Sequence, residues 1–224
     1  MDLFPLWNSI RIALISSIIV FFLGILAAYY IAKLPRIIKG ILDVILTLPL
    51  VLPPTVVGYM MLRLVGTRYP FGQFLKNVFD LTIPMKWWSA ILVTVIVIFP
   101  LMYRTTRAAF ESFDETLGFA GKTLGLSNTY IFWRIRMPFC RQGIIAGTVL
   151  AFARALGEYG ATSMIAGYIK GKTATISTTV YAPWRDGHDA EAFKWVLINI
   201  AISAVVLLVV NLLERKEKAR RIQA

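Results

Sequence analysis

The chain has 224 residues, 58% of them hydrophobic and 16% charged, with a formal net charge of +12. Soluble domains carry about 45–50% apolar and about 25% charged residues. A helix needs about 20 mostly apolar residues to cross a bilayer, and several runs here reach that length, so the composition excludes an ordinary soluble domain and indicates an integral membrane protein. The cations sit at the ends of the apolar runs instead of being pooled on one polar domain, which argues against nucleic acid as a partner. A single cysteine, Cys140, excludes an intrachain disulfide and a multi-cysteine metal site. The lone His188 lies in a polar loop, where a solvent-facing role is expected.

In chain order, a short start containing the interface anchor Trp7 lacks a basic region and a small-residue cleavage site, so the first apolar run reads as a retained helix. Residues 12–32 form the first span, ended by Lys33-Leu34-Pro35-Arg36. A second run extends from Lys39 to about Leu64 and contains Pro49, Pro53, Pro54 and Gly58. Each proline removes a backbone donor, and such a break within a membrane is tolerated when buried in protein or lining an aqueous cavity. This run is therefore either a wall of a pathway or a kinked packing helix. Residues 66–86 form a polar and aromatic loop, and Trp87-Trp88 then marks an interface. The third span has its core at 90–103 and is closed by Arg104 and Arg107. A polar segment, 113–137, precedes a fourth span at about 139–165. A second loop, 168–194, precedes the fifth span at 195–213 and a basic tail.

Orientation follows from the cations. Lys33, Arg36, Lys39, Arg104, Arg107, Lys122, Arg134, Arg136, Arg141 and the tail cations Arg215, Lys216, Lys218, Arg220 and Arg221 fall on one side. They outnumber Arg63, Arg68, Lys76, Lys86, Lys170, Lys172, Arg185 and Lys194 on the other. The positive-inside tendency puts the richer side in the cytoplasm. Five spans then leave the N-terminus outside and the C-terminus in the cytoplasm.

Two fragments imitate a nucleotide-binding loop, which needs G-x-x-x-x-G-K-[ST] after a strand. Gly121-Lys122-Thr123 has Thr116 where the first glycine belongs, and Gly171-Lys172-Thr173 has Ala166. Nucleotide energy must come from a partner. In the fourth span Gly143, Gly147, Ala151 and Ala155 recur every four residues, a smooth ridge for close helix packing in lipid. Arg154 and Glu158, placed on that same helix four residues apart, share one face. Ionisable residues at such depth face a bundle interior or an aqueous cavity, or they pair with each other to fix packing.

Within the polar segment, Gly125, nine residues, then Ile135-x-Met137-Pro138 resembles the cytoplasmic signature of permeases of bacterial ATP-binding-cassette importers. That signature reads Glu-Ala-Ala, three residues, Gly, nine residues, Ile-x-Leu-Pro. Its first three positions fall here on Phe119, Ala120 and Gly121, so an aromatic residue replaces the Glu. The resemblance implies a coupling helix that docks on an ATPase subunit. Phe119, Leu124 and Leu126 would supply apolar contacts beside Lys122, and Gly125 would permit a tight turn. Residues 48–59 and 147–162 closely resemble molybdate-import permeases, and 171–177 looks like the external segment of the same proteins. Sulfate permeases carry related Leu-Gly-Glu-Tyr-Gly segments.

The resemblance covers roughly residues 9–215. It implies an all-α membrane protein with about five transmembrane helices in the type I ABC-importer permease fold, as a single permease domain over 1–224. It further implies a homodimer, two ATPase subunits that use ATP and Mg, an extracytoplasmic oxyanion-binding protein, and no cofactor in this chain. The expected path is bordered by Pro53, Pro54, Thr55, Gly58, Arg154, Gly157, Glu158 and Ser163. An intramembrane enzyme would need a convergent nucleophile or metal set at depth, and the spans hold none. A membrane scaffold would not need the Gly125–Pro138 signature, and a passive channel would not depend on ATP hydrolysis.

Overall fold

A computed structural model describes residues 2–222, with side chains described as far as Leu208. The tail cations from Arg215 onward therefore lie outside the described side chains. The described residues form helices α1 (Phe4–Ala32), α2 (Arg36–Val51), α3 (Pro54–Val65), α4 (Pro70–Phe79), α5 (Trp87–Glu111) and α6 (Glu115–Thr123). These are followed by α7 (Asn128–Ile131), a π-helical turn (Phe132–Arg136), α8 (Met137–Leu156), α9 (Gly160–Ile165), α10 (Ile176–Arg185) and α11 (Asp189–Ile222). Four stretches are long and apolar enough to cross a membrane: α1, α5, Asn128–Leu156 and the first part of α11, and α2 with α3 makes a fifth if that bent pair counts as one.

Helix α5 is the centre of the bundle, and α1 and α8 both pack on it and on each other. On α1 the buried stripe is mostly small and polar, Asn8, Ser9, Ala13, Ser16, Ser17, Gly24 and Ala28, with Ile12, Val20 and Ile31 between them. Its large apolar side chains, such as Ile18 and Phe22, point outward. That inversion of the soluble pattern suits a lipid-facing helix, whose neighbours approach through small residues. A Cβ at Gly24 would stand 2.6 Å from Met102 Cγ on α5. The small-residue ridge of α8 meets a neighbouring face of α5, so that Met102 is approached from both α1 and α8. Gly143 faces Ala109 and Gly147 faces Met102 and Thr105, while Ala151 and Ala155 are buried.

Helix α2 is attached differently. It has no buried residue and is joined to α5 by Arg107–Asp43 at 2.7 Å and Lys39–Glu111 at 3.1 Å.

Three expectations need correction. The second run is two helices bent by 109°, more than a proline kink. The fourth span does not run unbroken to Ile165: α8 stops at Leu156, and α9 is a separate short helix. Glu158 thus lies in the break and not on the same helix as Arg154. The two loops also contain helices, α4 in the first, α10 and the start of α11 in the second. Helix α10 is nucleated by a capping box in which Thr175 and Thr178 satisfy each other's backbone N–H groups. It is tied back to the start of α1, where Ser9 Oγ accepts from Ile176 N at 2.9 Å and Asn8 Nδ2 donates to Ala174 O at 3.0 Å.

Candidate functional site

Two helix breaks meet in the bundle. The first follows from Pro53-Pro54. A proline disfavours the helical region in the residue before it, and Leu52 and Pro53 are extended, with ψ of 140° and 134°. Helix α3 then restarts at Pro54, where the missing N–H costs nothing. The second break, Gly157-Glu158-Tyr159, separates α8 from α9. A Cβ at Gly160 would stand 3.1 Å from Pro54 Cβ and 3.2 Å from Thr55 N. One at Gly58 would stand 2.7 Å from Ala161 Cα. Helices α3 and α9 therefore pack backbone against backbone; the approach requires glycine at 58 and leaves little room for a side chain at 160.

Glu158 closes the second break. Its side chain is 2% exposed and meets Arg154 Nη1 through Oε2 at 2.7 Å. Through Oε1 it accepts the N–H of Ala161 at 2.8 Å. The first turn of any helix leaves backbone donors unsatisfied, and this carboxylate takes one of α9's while holding the last turn of α8. One side chain thus spans the interruption. Arg154 keeps 35% of its side chain exposed.

The other expected path residues are placed as follows. Pro53, Thr55 and Gly157 are exposed beside the breaks, Pro54 is half-buried, and Gly58 is buried against α9. Ser163 is half-buried and donates to Gly160 O at 2.9 Å. Tyr159, in the break, approaches Tyr181 of α10 at 5.5 Å between ring centroids, and Tyr181 in turn lies 5.7 Å from Trp184. This aromatic row gave no signal in the sequence, because it joins two segments through a turn.

The polar segment builds a second constellation. Asp114 caps α6 by accepting Thr116 N at 2.9 Å. Hydrogen bonds from the Thr116 hydroxyl and backbone N–H hold the Asp114 carboxyl below its usual range. At the other end Gly125 has φ of +77°. Its N–H donates to Lys122 O and that of Leu126 to Gly121 O. This is a Schellman motif, whose left-handed residue favours glycine. Phe119 and Leu124 are 63% and 78% exposed; Ala120 and Lys122 are also exposed, and Leu126 is half-buried.

Two contacts fasten α6 to the start of the long fourth span. Gly121 sits against Ile131 and Ile135, its absent Cβ 3.1 Å from Ile131 Cγ1. Arg136 Nη2 donates to both carboxylate oxygens of Glu115 at 2.7 Å. The signature residues therefore divide. Phe119 and Leu124 face outward, while Gly121, Ile135 and Met137 are turned to the body of the bundle. Pro138 stands in the first turn of α8, exposed. Lacking an N–H and crowding the carbonyl four residues back, it forces a wider turn upstream. In that turn Met137 N–H reaches Phe132 O, five residues away. The Glu115–Arg136 pair was missed from sequence because the partners are 21 residues apart. Among the described residues no group of three His, Cys, Asp or Glu is placed to hold a metal.

Comparison with known proteins agrees with this architecture. A family model described as "Binding-protein-dependent transport system inner membrane component" matches residues 20–219. The molybdenum transport system permease protein ModB of Escherichia coli (strain K12) is 38% identical over 221 residues, 96% of each chain. The putative molybdenum transport system permease protein YvgM of Bacillus subtilis (strain 168) is 34% identical over 207 residues, 92% of this chain and 91% of that one. Among solved structures, a bacterial ABC transporter involved in the import of alginate superposes with a TM-score of 0.77 at 17% identity, covering 96% of this chain and 79% of the other. At that identity the last likeness speaks for the fold alone. With an all-helical bundle, a broken second span and a matching model along most of its length, the chain belongs to the family of binding-protein-dependent transport system inner membrane components, the permease subunits of ABC transporters.

Proposed function

We propose that this chain is the path-forming subunit of an ATP-driven importer of molybdate, and of the similar dianion tungstate. The observation that carries the reading is likeness to molybdenum permeases over nearly the whole chain, both breaks included. Two copies would place the path at a two-fold interface, with the N-terminus outside and the C-terminus in the cytoplasm. Each copy would seat one ATPase subunit on α6, through Phe119, Ala120, Lys122, Leu124, Gly125 and Leu126. ATP and Mg act in those subunits. An extracytoplasmic oxyanion-binding protein would deliver cargo to the outer segments, 66–86 and 168–194.

The geometry supports a route for coupling. Movement of α6 would pass through Glu115–Arg136 and the Gly121 seat, with Ile135, Met137 and Pro138, into α8. Helix α8 ends at the Arg154–Glu158 staple beside the α2–α3 break. Pro53, Pro54, Thr55, Gly58, Gly157 and Ser163 would border the path there. Hydroxyl and backbone groups give a mostly neutral lining, which suits a transporter that must release its cargo.

The test is ATP-dependent uptake of labelled molybdate into liposomes holding this chain, its ATPase and the binding protein. Competition by tungstate but not sulfate supports the reading. Competition by sulfate moves the chain to sulfate import with the architecture intact. No ATP-dependent uptake from an intact complex overturns the oxyanion assignment. Normal transport by both Arg154→Gln and Thr55→Val at wild-type abundance would remove those residues from the path.

A further inference from the structure

At the end of α1 that carries Lys33, two hollows lie side by side. One, of about 460 Å³, lies beneath α6 and is lined by Lys33, Lys122 and Arg136 with Glu115 as its carboxylate. The other, of about 550 Å³, is a mostly apolar groove along α1, between Phe22 and Leu26 on one wall and Trp133 on the other. Tyr29, Asn128 and Phe132 line both, so the cationic hollow lies next to the apolar groove.

The charges do not balance within the protein. Glu115 is engaged by Arg136, which is itself nine-tenths buried and flanked by the Phe113 ring at 4.6 Å. The Lys33 ammonium lies over the Tyr29 ring at 3.7 Å and that of Lys122 lies 5.8 Å from the Phe119 ring. Neither lysine has a carboxylate within salt-bridge distance among the described residues. Three cations against one carboxylate leave the hollow with two positive charges to be met from outside.

A soluble anion would need only the polar hollow. The adjoining groove lies on the outward face of a membrane-spanning helix, where Phe22, Leu26 and Trp133 are 66%, 55% and 60% exposed. An occupant that satisfies both parts has an anionic head and a hydrocarbon tail. Basic pockets between helices at a membrane surface take such head groups, and Trp133 is the residue type that anchors at that level.

We propose that the two adjoining hollows together are a binding site for an anionic phospholipid. Its phosphate lies between Lys33 and Lys122 with Arg136 behind, and an acyl chain runs along α1. Because Lys122, Glu115 and Phe119 belong to α6, the lipid bridges α1 to α6. The site needs only that the chain spans a bilayer, so it can fail without the molybdate assignment failing, and the reverse.

The experiment is native mass spectrometry of the purified permease–ATPase complex, equilibrated with equal amounts of phosphatidylglycerol and phosphatidylcholine. Preferential retention of phosphatidylglycerol is expected, with each lysine contributing about fivefold. Lys33→Gln, outside the proposed ATPase seat, lowers the preference about fivefold and Lys33→Arg keeps it; Lys33→Gln with Lys122→Gln abolishes it in complexes that retain their ATPase. Leu26→Trp, which fills the groove and leaves the charges, lowers retention of the lipid. Glycerol phosphate or molybdate, each without a tail, fails to displace it. Equal retention of the two lipids by the unaltered complex overturns the proposal, as does a preference that survives the glutamine variants. Displacement by the soluble anions at the same concentration as by phospholipid leaves an anion site only, and likewise overturns it.

Discussion

Replacing Glu158 by Gln isolates the charge that holds α8 to α9. The side chain is 2% exposed, pairs with Arg154 at 2.7 Å and accepts Ala161 N–H at 2.8 Å. Stranding one member of a buried ion pair costs about 3–5 kcal/mol. Arg154 is 35% exposed, however, and solvent screening draws the value toward the roughly 0–1 kcal/mol of surface pairs. Gln still offers an oxygen to Ala161, so the charge alone is expected to be worth about 1–2 kcal/mol. Glu158→Ala removes the helix cap as well and is expected to cost about 1 kcal/mol more. Graded SDS unfolding of the purified chain measures both, and a cycle with Arg154→Gln isolates the pair at about 1 kcal/mol of coupling. Single costs that add within about 0.5 kcal/mol would refute the staple. Equal losses for Gln and Ala would refute the Ala161 contribution.

Three further perturbations act on α6. Gly121→Leu overfills the seat against Ile131 and Ile135. It is expected to cost about 1–3 kcal/mol, read as faster proteolysis within α6 and weaker ATPase co-purification at unchanged abundance; undiminished protection would show that the seat does not hold the helix. Gly125→Ala places a Cβ at φ of +77° and should destabilise the turn by about 1–2 kcal/mol. Gly125→Asn should cost less, and equal hydrogen-exchange protection in all three chains would rule the turn out as a constraint. The Asp114 carboxyl is depressed by its bonds from Thr116, so its cap is fully present above the ordinary carboxylate range and is lost as pH falls through the lower folded value. Amide protection in α6 should therefore persist through the ordinary carboxylate range and fall at lower pH, and Asp114→Ala should weaken that dependence while the Glu115–Arg136 pair remains.

The features legible in the sequence are those set by local chemistry. Pro53-Pro54 announced a break because proline restricts both itself and its neighbour. Gly143, Gly147, Ala151 and Ala155 announced a packing ridge because their spacing matches one face of a helix, and α5 fills that face. Gly125 was expected to permit a tight turn, and its φ of +77° supplies one. The break at Gly157-Glu158-Tyr159 was not legible: it contains no proline and sits in an apolar run. Its stability comes from a carboxylate whose acceptance of the Ala161 N–H depends on the chain already having turned. Likewise, α10 is capped locally by Thr175 and Thr178 but placed by the bond from Ile176 N to Ser9 Oγ, whose partners are 167 residues apart.

The small residues also define which parts must move together. Helix α8 has 20 residues and so extends about 30 Å. At its start Arg136 grips Glu115 of α6, and at its end Arg154 grips Glu158. Between them Gly143 and Gly147 lie in contact with Ala109 and Thr105, too close for α8 to tilt toward α5 without collision. A displacement of α6 that preserves the Glu115 pair must therefore carry α8 along the surface of α5. It arrives at the break where Gly160 touches Pro54 and Thr55. Helix α2, on the far side of that break, has no buried residue and is held to α5 by side-chain ion pairs. Leu42 and Leu46 add apolar contact with the core, so α8 and α2 meet at the same prolines, where a push on α6 would be felt by both.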